Sequence, residues 1–273
     1  MRDVTFGQYY PAESPVHRCD PRTKILFFIV YIAAIFTAKN FYGLGACAFV
    51  FLLVAALSRV PFGSLLRSVR AIVFLLVFTA VLNLFFYPGE TVWWQWELWK
   101  FIKITREGTI YTVFLAVRLF LLVAGSAILT LTTTPVSLTD GIESLLYPLK
   151  LIRFPVHELA LIMSIALRFI PILTDETGRI MNAQKARGAD FETGGLVRRV
   201  KAVIPVLIPL LVSAFRRADE LGDAMDARCY SGSKVRTKYK KLRFAGRDFI
   251  AFLLGAALLA GVILFRVYFA NLL

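Results

Sequence analysis

Two arginines, each following the last apolar residues of a long helical pattern, are the side chains of this 273-residue chain best suited to binding a partner. A guanidinium can form paired hydrogen bonds to a carboxylate, and it tolerates loss of water better than an ammonium does. Apolar residues of the helix end would supply anchors around each cation. We therefore predict two equivalent docking points for partner proteins. They consist of Ala186, Arg187 and Gly188 in the first helix and of Ala227, Arg228 and Cys229 in the second.

A purely structural role would account for one such arginine. A cation after the last helical turn interacts favourably with the helix dipole, and Gly188 can end the helix in a left-handed conformation. The cation is worth about 1 kcal/mol or less in such a place. Because the arginine occurs twice, at equivalent ends of two similar helices, docking into two grooves on partner subunits is the better explanation.

The helices that must position these arginines span residues 155–187 and about 196–228. A polar, glycine-rich turn at residues 188–195 separates them. In each helix, apolar residues recur at alternating spacings of four and three, and this apolar seam ends at the arginine. We expect the seam to pack against a partner or against the other helix. The candidate packing residues are Leu159, Met163, Leu211 and Met225.

The composition predicts an all-α membrane protein. Apolar residues make up 58% of the chain and its mean hydropathy is +0.68, too high for a soluble domain of this length. Crossing the apolar core of a bilayer takes about 20 helical residues. We therefore expect about five transmembrane helices, which lie at residues 25–38, 41–58, 71–87, 109–133 and 248–270.

The two long helices are predicted to lie in the cytoplasm, with their apolar ends near the membrane. Their uninterrupted apolar parts, residues 159–167 and 203–215, are too short to cross a bilayer. Charged residues such as Arg168 and Arg216 would also have to enter lipid, at a cost of about 3 kcal/mol each. If both helices were spans, the topology elsewhere would be unchanged.

The distribution of basic residues predicts the orientation. They are concentrated before the first span, between the second and third spans, and in residues 134–247, whereas the opposite side has few. An excess of lysine and arginine marks cytoplasmic loops, so we expect a cytoplasmic N-terminus and an external C-terminus. The predicted regions are a cytoplasmic N-terminal segment at 1–24, transmembrane helices 1–4 at 25–133 with an outer loop at 88–108, the cytoplasmic domain of long helices at 134–247, and the last transmembrane helix at 248–273.

The outer loop and the charges within the spans have simple structural interpretations. Residues 91–104 alternate with a period of two, which predicts a hairpin or an aromatic belt at the outer face. Arg118 is expected to reach a helix-end carbonyl or to snorkel, and Arg266 is expected to snorkel at the outer end of the last span.

The residues present disfavour most chemistry of the chain's own. The sequence has no G-x-x-x-x-G-K-[ST] motif, so we expect no ATP binding by a P-loop. All 18 acidic residues lie outside the predicted spans or at a span edge, which disfavours a proton- or cation-coupled carrier. The two histidines and three cysteines have no metal-ligand or redox spacing. We therefore predict no catalytic residue, no metal and no cofactor, and three reduced, inert thiols.

Two motifs of the long helices are highly specific: Ala-Gln-Lys-Ala-Arg-Gly-Ala-Asp-Phe at residues 183–191 and Ala-Phe-Arg-Arg-Ala-Asp-Glu-Leu at residues 214–221. In these motifs, and over almost its entire length, the chain resembles the transmembrane T component of energy-coupling factor (ECF) transporters, the vitamin and trace-metal importers. The twin Ala-Arg-Gly signatures of the family fall on residues 186–188 and 227–229. Cys229 replaces the glycine of the second signature, which weakens the expected helix stop but leaves the arginine in place.

The resemblance implies a non-catalytic, shared scaffold in the cell membrane that works within a four-part complex. Two ATP-binding-cassette ATPases would contact the tips at Arg187 and Arg228. A small substrate-binding membrane protein, the S component, would pack on the apolar parts of the helices. Closure of the ATPases would move the helices and tip the S component. Membrane lipids are the remaining expected partners, and no nucleic acid and no cofactor is implied.

Three other functions stay open at this point. A conventional ABC permease would need a short coupling helix in a Glu-Ala-Ala-type loop, which we do not find in the sequence. A self-sufficient secondary carrier or channel would transport without ATPases. A nucleic-acid-binding role would depend on the basic run at residues 234–243. That run adjoins the last span, so anionic lipid headgroups are its simpler partner.

Overall fold

The computed structural model describes residues 9–86, 92–95, 103–152, 154–191, 195–230 and 244–268. The chain divides into two compact units, of which the first comprises residues up to Val156 and from Leu242 onward, and the second comprises His157–Lys241. The predicted all-α membrane fold is confirmed. In chain order the elements are α1 (Pro21–Thr37), α2 (Phe41–Ser58), α3 (Phe62–Phe86), β1 (Val92–Gln95), β2 (Lys103–Thr105), α4 (Arg106–Thr132), α5 (Pro135–Leu146), a 3-10 helix (Tyr147–Ile152), α6 (Val156–Ala186), α7 (Leu196–Ala227) and α8 (Gly246–Tyr268).

Four helices in the described part of the chain, α2, α4, α6 and α8, are long and apolar enough to cross a bilayer. Of these, α2, α4 and α8 coincide with predicted spans. The 17 residues of α1 and the apolar part of α3, Ile72–Leu84, fall short of the same length. By length and composition α6 also meets the criterion, although its charged residues led us to predict a cytoplasmic position. That position stays a prediction.

The first unit packs around α1. This helix contacts α2, α4, α5 and α8, while α3 packs against α4. Ala34 and Ile35 of α1 have no exposed surface, and they lie in one core with the buried Cys47 of α2 and Ala124 of α4. Small side chains at such contacts let helix backbones approach closely, which is how helices associate where lipid replaces water.

Helix α5 belongs to the first unit, although the region of long helices was expected to begin at residue 134. The hydroxyl of Thr134 accepts a hydrogen bond from the amide of Ser137 and so caps the start of α5. Gly141 lies against α1, since a Cβ at this position would be 3.0 Å from the Cβ of Pro21. The compact second unit begins only at His157.

One buried carboxylate joins the first turns of α1 and α8. Asp248, which is 1% exposed, accepts hydrogen bonds from the backbone amides of Asp20 at 2.9 Å and Ala245 at 2.8 Å. Asp20 in turn caps α1 by accepting from the amide of Arg22 at 2.9 Å. The amides at a helix start have no partner within the helix, so these carboxylates satisfy donors that would otherwise be buried unpaired.

Lys24 extends this cluster to the end of α4. Its ammonium donates to the carbonyl oxygens of Thr132 at 2.9 Å and His17 at 3.2 Å. The last carbonyls of a helix lack intrahelical donors, and a lysine is well placed to satisfy them. Three helix ends therefore meet at one polar cluster, formed by Asp20, Lys24 and Asp248.

Arg118, a charged residue in the interior of α4, binds a backbone carbonyl at the C-terminal end of α1. Its guanidinium donates to the carbonyl of Ala38, the residue that ends α1, and lies over the ring of Phe114 at 4.6 Å from the centroid. Of the two predicted arrangements, the helix-end carbonyl is the one observed. Since that carbonyl has no helical partner, this arginine has a structural role within the membrane-spanning part.

The segment between α3 and α4 contains the predicted hairpin. Strands β1 and β2 pair antiparallel, with Val92 opposite Thr105 and Gln95 opposite Lys103. An irregularity in the ladder follows Val92. Residues 96–102, which include part of the predicted aromatic belt, lie outside the described residues.

Removal of the Asp248 carboxylate is expected to destabilise the first unit. In Asp248→Ala, two buried amides lose their acceptor, which costs about 3 kcal/mol of unfolding free energy. Asp248→Asn keeps one acceptor oxygen and should lose about half as much. Unfolding of the purified protein in detergent measures both changes, with Asp223→Ala at an exposed position of α7 as the control. An unchanged stability of Asp248→Ala would contradict this role.

Candidate partner-docking site

A Schellman motif ends α6 and sets the position of Arg187. The amide of Gly188 donates to the carbonyl of Lys185, and the amide of Ala189 donates to that of Gln184, both at 3.0 Å. Gly188 has a φ of +87°, a left-handed conformation that glycine adopts without steric cost. The arginine is thus the last residue before the chain turns away from the helix axis.

The same motif ends α7, although a cysteine takes the place of glycine. The amide of Cys229 donates to the carbonyl of Asp226 at 2.9 Å, and the amide of Tyr230 donates to that of Met225 at 3.0 Å. Cys229 has a φ of +56°, which costs a residue with a side chain about 1 kcal/mol. The helix stop therefore forms in spite of the cysteine, and Arg228 has the same position relative to the stop as its counterpart in α6.

The side chains of both arginines are exposed. Among the described residues, neither Arg187 nor Arg228 forms a side-chain hydrogen bond or an ion pair. Backbone amides of the two Schellman motifs already satisfy carbonyls in the last turns, so the guanidiniums are not used for that purpose. Two equivalent, uncommitted cations are therefore presented at the ends of two helices.

The four predicted packing residues differ in exposure. Leu159 is 40%, Met163 37% and Leu211 49% exposed, whereas Met225 is partly buried. Leu211 belongs to a larger set of exposed apolar side chains on α7. The set comprises Val197, Val200, Val203, Ile204, Leu207, Ile208, Leu211, Val212 and Phe215. So many large apolar side chains on one helix mark a surface that another protein or lipid covers.

Two polar contacts between α6 and α7 are absent from the sequence-based prediction. The guanidinium of Arg217 lies 3.5 Å from the carboxylate of Glu176, and the side-chain amide of Gln184 donates to the carbonyl of Pro205 at 3.5 Å. That carbonyl is available because Pro209, four residues further on, has no amide hydrogen. The proline spacing was the signal available in the sequence, but it does not identify the side chain that reaches the oxygen.

The described residues contain no group of three or more histidine, cysteine or carboxylate side chains that could hold a metal ion. The three cysteines are free thiols. Burial raises the pKa of the Cys19 thiol, and the nearby Asp248 carboxylate adds to this effect. Because the thiolate is the reactive form, Cys19 is a poor nucleophile at neutral pH.

The described chain has helices of membrane-spanning length and a separate compact unit with two long helices, each followed by an exposed arginine. These helices define a multi-pass membrane protein. The family model described as CbiQ, cobalt transport protein, matches residues 12–239 of the chain. This match includes α1 to α7 and both arginine tips.

Curated relatives match nearly the whole chain. The energy-coupling factor transporter transmembrane protein EcfT of Ruminiclostridium cellulolyticum is 45% identical over 269 residues, which cover 98% of this chain and 99% of that protein. The protein of the same name from Clostridium kluyveri is 46% identical over 271 residues, which cover 99% of this chain and 100% of that protein. The one from Acidaminococcus fermentans is 48% identical over 258 residues, which cover 94% of this chain and 95% of that protein. The chain therefore belongs to the family of energy-coupling factor transporter transmembrane components, which are non-catalytic transporter subunits. The resemblance seen in the sequence is confirmed.

The two helix stops should respond in opposite ways to substitution. Cys229→Gly is expected to stabilise the protein by about 1 kcal/mol, because glycine takes the left-handed position without cost. Gly188→Ala should destabilise it by about the same amount, although no atom lies within 4 Å of the added Cβ. Gly222→Ala, in open space within α7, should be stabilising. Denaturant unfolding measures the stability of all three variants. Equal changes in stability for Gly188→Ala and Gly222→Ala would contradict this explanation.

Proposed function

We propose that the chain is the shared scaffold of an ATP-driven importer for a vitamin or trace metal. In this proposal it transmits the movement of two ATP-binding-cassette ATPases to a separate substrate-binding S component. The observation that carries the proposal is the repeated helix end, with an exposed and uncommitted arginine after each of α6 and α7. Two equivalent docking points suit two ATPases of one kind, which close on each other when they bind ATP.

Each arginine is suited to a groove that contains a carboxylate on an ATPase. The guanidinium can form paired hydrogen bonds there and tolerates removal from water. Its neighbours Ala186, Gly188, Ala227 and Cys229 are small, so each helix end can enter a narrow groove without displacing large side chains. We propose these residues, with Arg187 and Arg228, as the ATPase-docking site.

The apolar surfaces of α6 and α7 are proposed to receive the S component. Leu159, Met163 and Leu211 are exposed apolar side chains that need a covering partner, and Met225 lies near the tip of α7. Methionine fills irregular gaps and adapts to different partners, which suits a scaffold that serves more than one S component. A membrane protein with a complementary apolar face fits this surface.

The lengths and contacts of α6 and α7 are compatible with transmission of movement. At about 1.5 Å per residue, helices of 31 and 32 residues are each about 47 Å long, enough to connect an ATPase with a subunit in the membrane. The Glu176–Arg217 pair is partly exposed, and such pairs are worth about 1 kcal/mol or less. A shift of the tips can therefore change how the two helices cross at low cost.

We propose a cytoplasmic N-terminus and an external C-terminus in the cell membrane. The coupling region at residues 134–247 then lies on the side where ATP is present, with the apolar part of α6 close to the membrane. The excess of basic residues in this region supports the orientation. The basic run at 234–243 lies outside the described residues, and we assign it to anionic lipid headgroups.

Charge reversal at both tips is expected to abolish ATPase docking. Arg187→Glu combined with Arg228→Glu should eliminate co-purification with the ATPases and reduce ATP-dependent substrate uptake to background, because each tip would repel the carboxylates that bind it. Insertion into the membrane should be unchanged, since neither side chain has a partner among the described residues. Affinity purification from membranes and uptake into cells or vesicles measure the effect.

Arg179→Glu combined with Arg216→Glu is the matched control. These arginines lie on the same two helices and are also exposed, but neither is at a helix end. The control should retain ATPases and most of the uptake. Normal assembly and transport by the tip variant, or equal loss in both variants, would contradict the docking assignment.

Reconstitution of the chain without partners distinguishes the scaffold from a carrier or channel. We expect no substrate flux across vesicles that contain this chain alone, with or without an ion gradient, and flux after addition of the ATPases, the S component and ATP. Flux through the isolated chain would favour the self-sufficient carrier. Transport by chain and ATPases without an S component would favour a conventional ABC permease.

A further inference from the structure

The link between α4 and α5 consists of only two residues, Thr133 and Thr134. Through α5 and the 3-10 helix, this link leads on to α6, the first helix of the second unit. Thr132, the last residue of α4, is 2% exposed, and Thr133 is 6% exposed. Because these residues are buried, their oxygen atoms need hydrogen-bond donors from within the protein.

Lys24 of α1 supplies those donors. Its ammonium donates to the carbonyl oxygen of Thr132 at 2.9 Å and to the hydroxyl oxygen of Thr133 at 3.4 Å. It also donates to the carbonyl oxygen of His17, in the N-terminal segment, at 3.2 Å. An ammonium has three N–H donors, so these contacts use all of them. One nitrogen atom therefore joins α1, the end of α4 and the N-terminal segment.

The N-terminal segment binds the same end of α4 through a second contact. The amide of Tyr10 donates to the carbonyl of Leu131 at 2.9 Å. The ring of His17 holds the segment in a folded shape, since its Nε2 lies 3.0 Å from the carbonyl oxygen of Tyr10 and its Nδ1 lies 2.7 Å from the hydroxyl oxygen of Ser14. Two consecutive carbonyls at the end of α4 are thus bound from outside the helix.

Close packing fixes α5 against the helix that carries Lys24. A Cβ added at Gly141 of α5 would lie 3.0 Å from the Cβ of Pro21 and 3.1 Å from the Cδ1 of Ile25. Helix α5 is therefore held to α1 by packing and to α4 by the link that the ammonium binds. A change in the angle between α4 and α5 would break hydrogen bonds to a charged group, which are stronger than those between neutral groups.

We propose that Lys24 is a positioning residue for the coupling of ATP hydrolysis to transport. Its ammonium fixes the angle between α4 and α5, so that the first unit is a rigid anchor for α6. Without this contact, part of the ATPase-driven movement would turn α5 instead of tipping the S component. The role rests on the proposed function, in which α6 and α7 move with the ATPases.

Hydrogen exchange of the purified full-length chain tests the positioning by itself. Lys24→Met removes all three donors and keeps most of the apolar side chain. We expect the amides of α5 to exchange about tenfold faster, as the loss of one hydrogen bond to a charged group predicts, and the amides of α7 to be unchanged. Lys39→Met, at an exposed position just beyond α1, is the matched control and should change neither helix.

The complex reconstituted with the ATPases and an S component tests the coupling. Lys24→Met should retain the ATPases and their hydrolysis of ATP, but the substrate taken up per ATP should fall about threefold, within the range expected for residues between coupled sites. Ile35→Ala is the stability control. Ile35 has no exposed surface, so this substitution destabilises the first unit by leaving a cavity, but it does not change the end of α4. It should keep the wild-type ratio of uptake to hydrolysis.

The proposal is wrong if α5 exchanges at the wild-type rate in Lys24→Met, or if that variant keeps the wild-type ratio of uptake to hydrolysis. An equal fall of the ratio in Ile35→Ala would also overturn it, because lost stability would then be the cause. If Lys24→Met does not insert, Lys24→Gln, whose shorter side chain cannot reach all three oxygens, replaces it in both measurements.

These results are separable from the proposed function. ATP-driven uptake by the wild-type complex with an unchanged ratio in the Lys24 variant would overturn the positioning role alone. Absence of ATP-driven uptake by the wild-type complex would instead contradict the proposed function, and the coupling role of Lys24 with it.

Discussion

The backbone groups at the ends of helices must find hydrogen-bond partners in surroundings that contain little water, and much of this structure depends on that constraint. At one end of the first unit, Asp20 and Asp248 accept from the amides that begin α1 and α8, while Lys24 donates to the carbonyl at the end of α4. At the other end of α1, Arg118 donates a hydrogen bond to the carbonyl of Ala38. Charged side chains that would be costly within a membrane are thus used where backbone groups need them.

The same constraint has the opposite consequence in the second unit. There the backbone satisfies itself, because both helices end in a left-handed residue whose own amide, with that of the next residue, donates to carbonyls of the last turn. Glycine does this in α6, and Cys229 does it in α7 at some cost in free energy. With the backbone satisfied, the arginines beside the two stops are left for other molecules. This separation of roles links the local geometry of the tips to the proposed binding of ATPases.

A proline frees one backbone carbonyl of α7, and several buried side-chain groups have no hydrogen-bond partner among the described residues. Pro209 frees the carbonyl of Pro205, and Gln184 of α6 contacts it at 3.5 Å. A contact of this length links α6 and α7 but constrains the angle between the two helices only weakly. In the first unit, by contrast, the buried hydroxyls of Thr23 and Tyr31 lack any partner within the described chain.

Local sequence patterns predicted the features that depend on neighbouring residues. Hydropathy located the spans that became α2, α4 and α8, a period of two indicated the hairpin of β1 and β2, and the Ala-Arg-Gly pattern located the stop of α6. Length and hydropathy did not distinguish α6 from a transmembrane helix. Both depend on the apolar residues alone, and these are the same whether lipid or another protein covers them. Two contacts became visible only in the folded chain: Asp248 binds the amide of Asp20, and Arg118 reaches the carbonyl of Ala38. Each of these depends on helices far apart in sequence, whose relative positions no local pattern encodes.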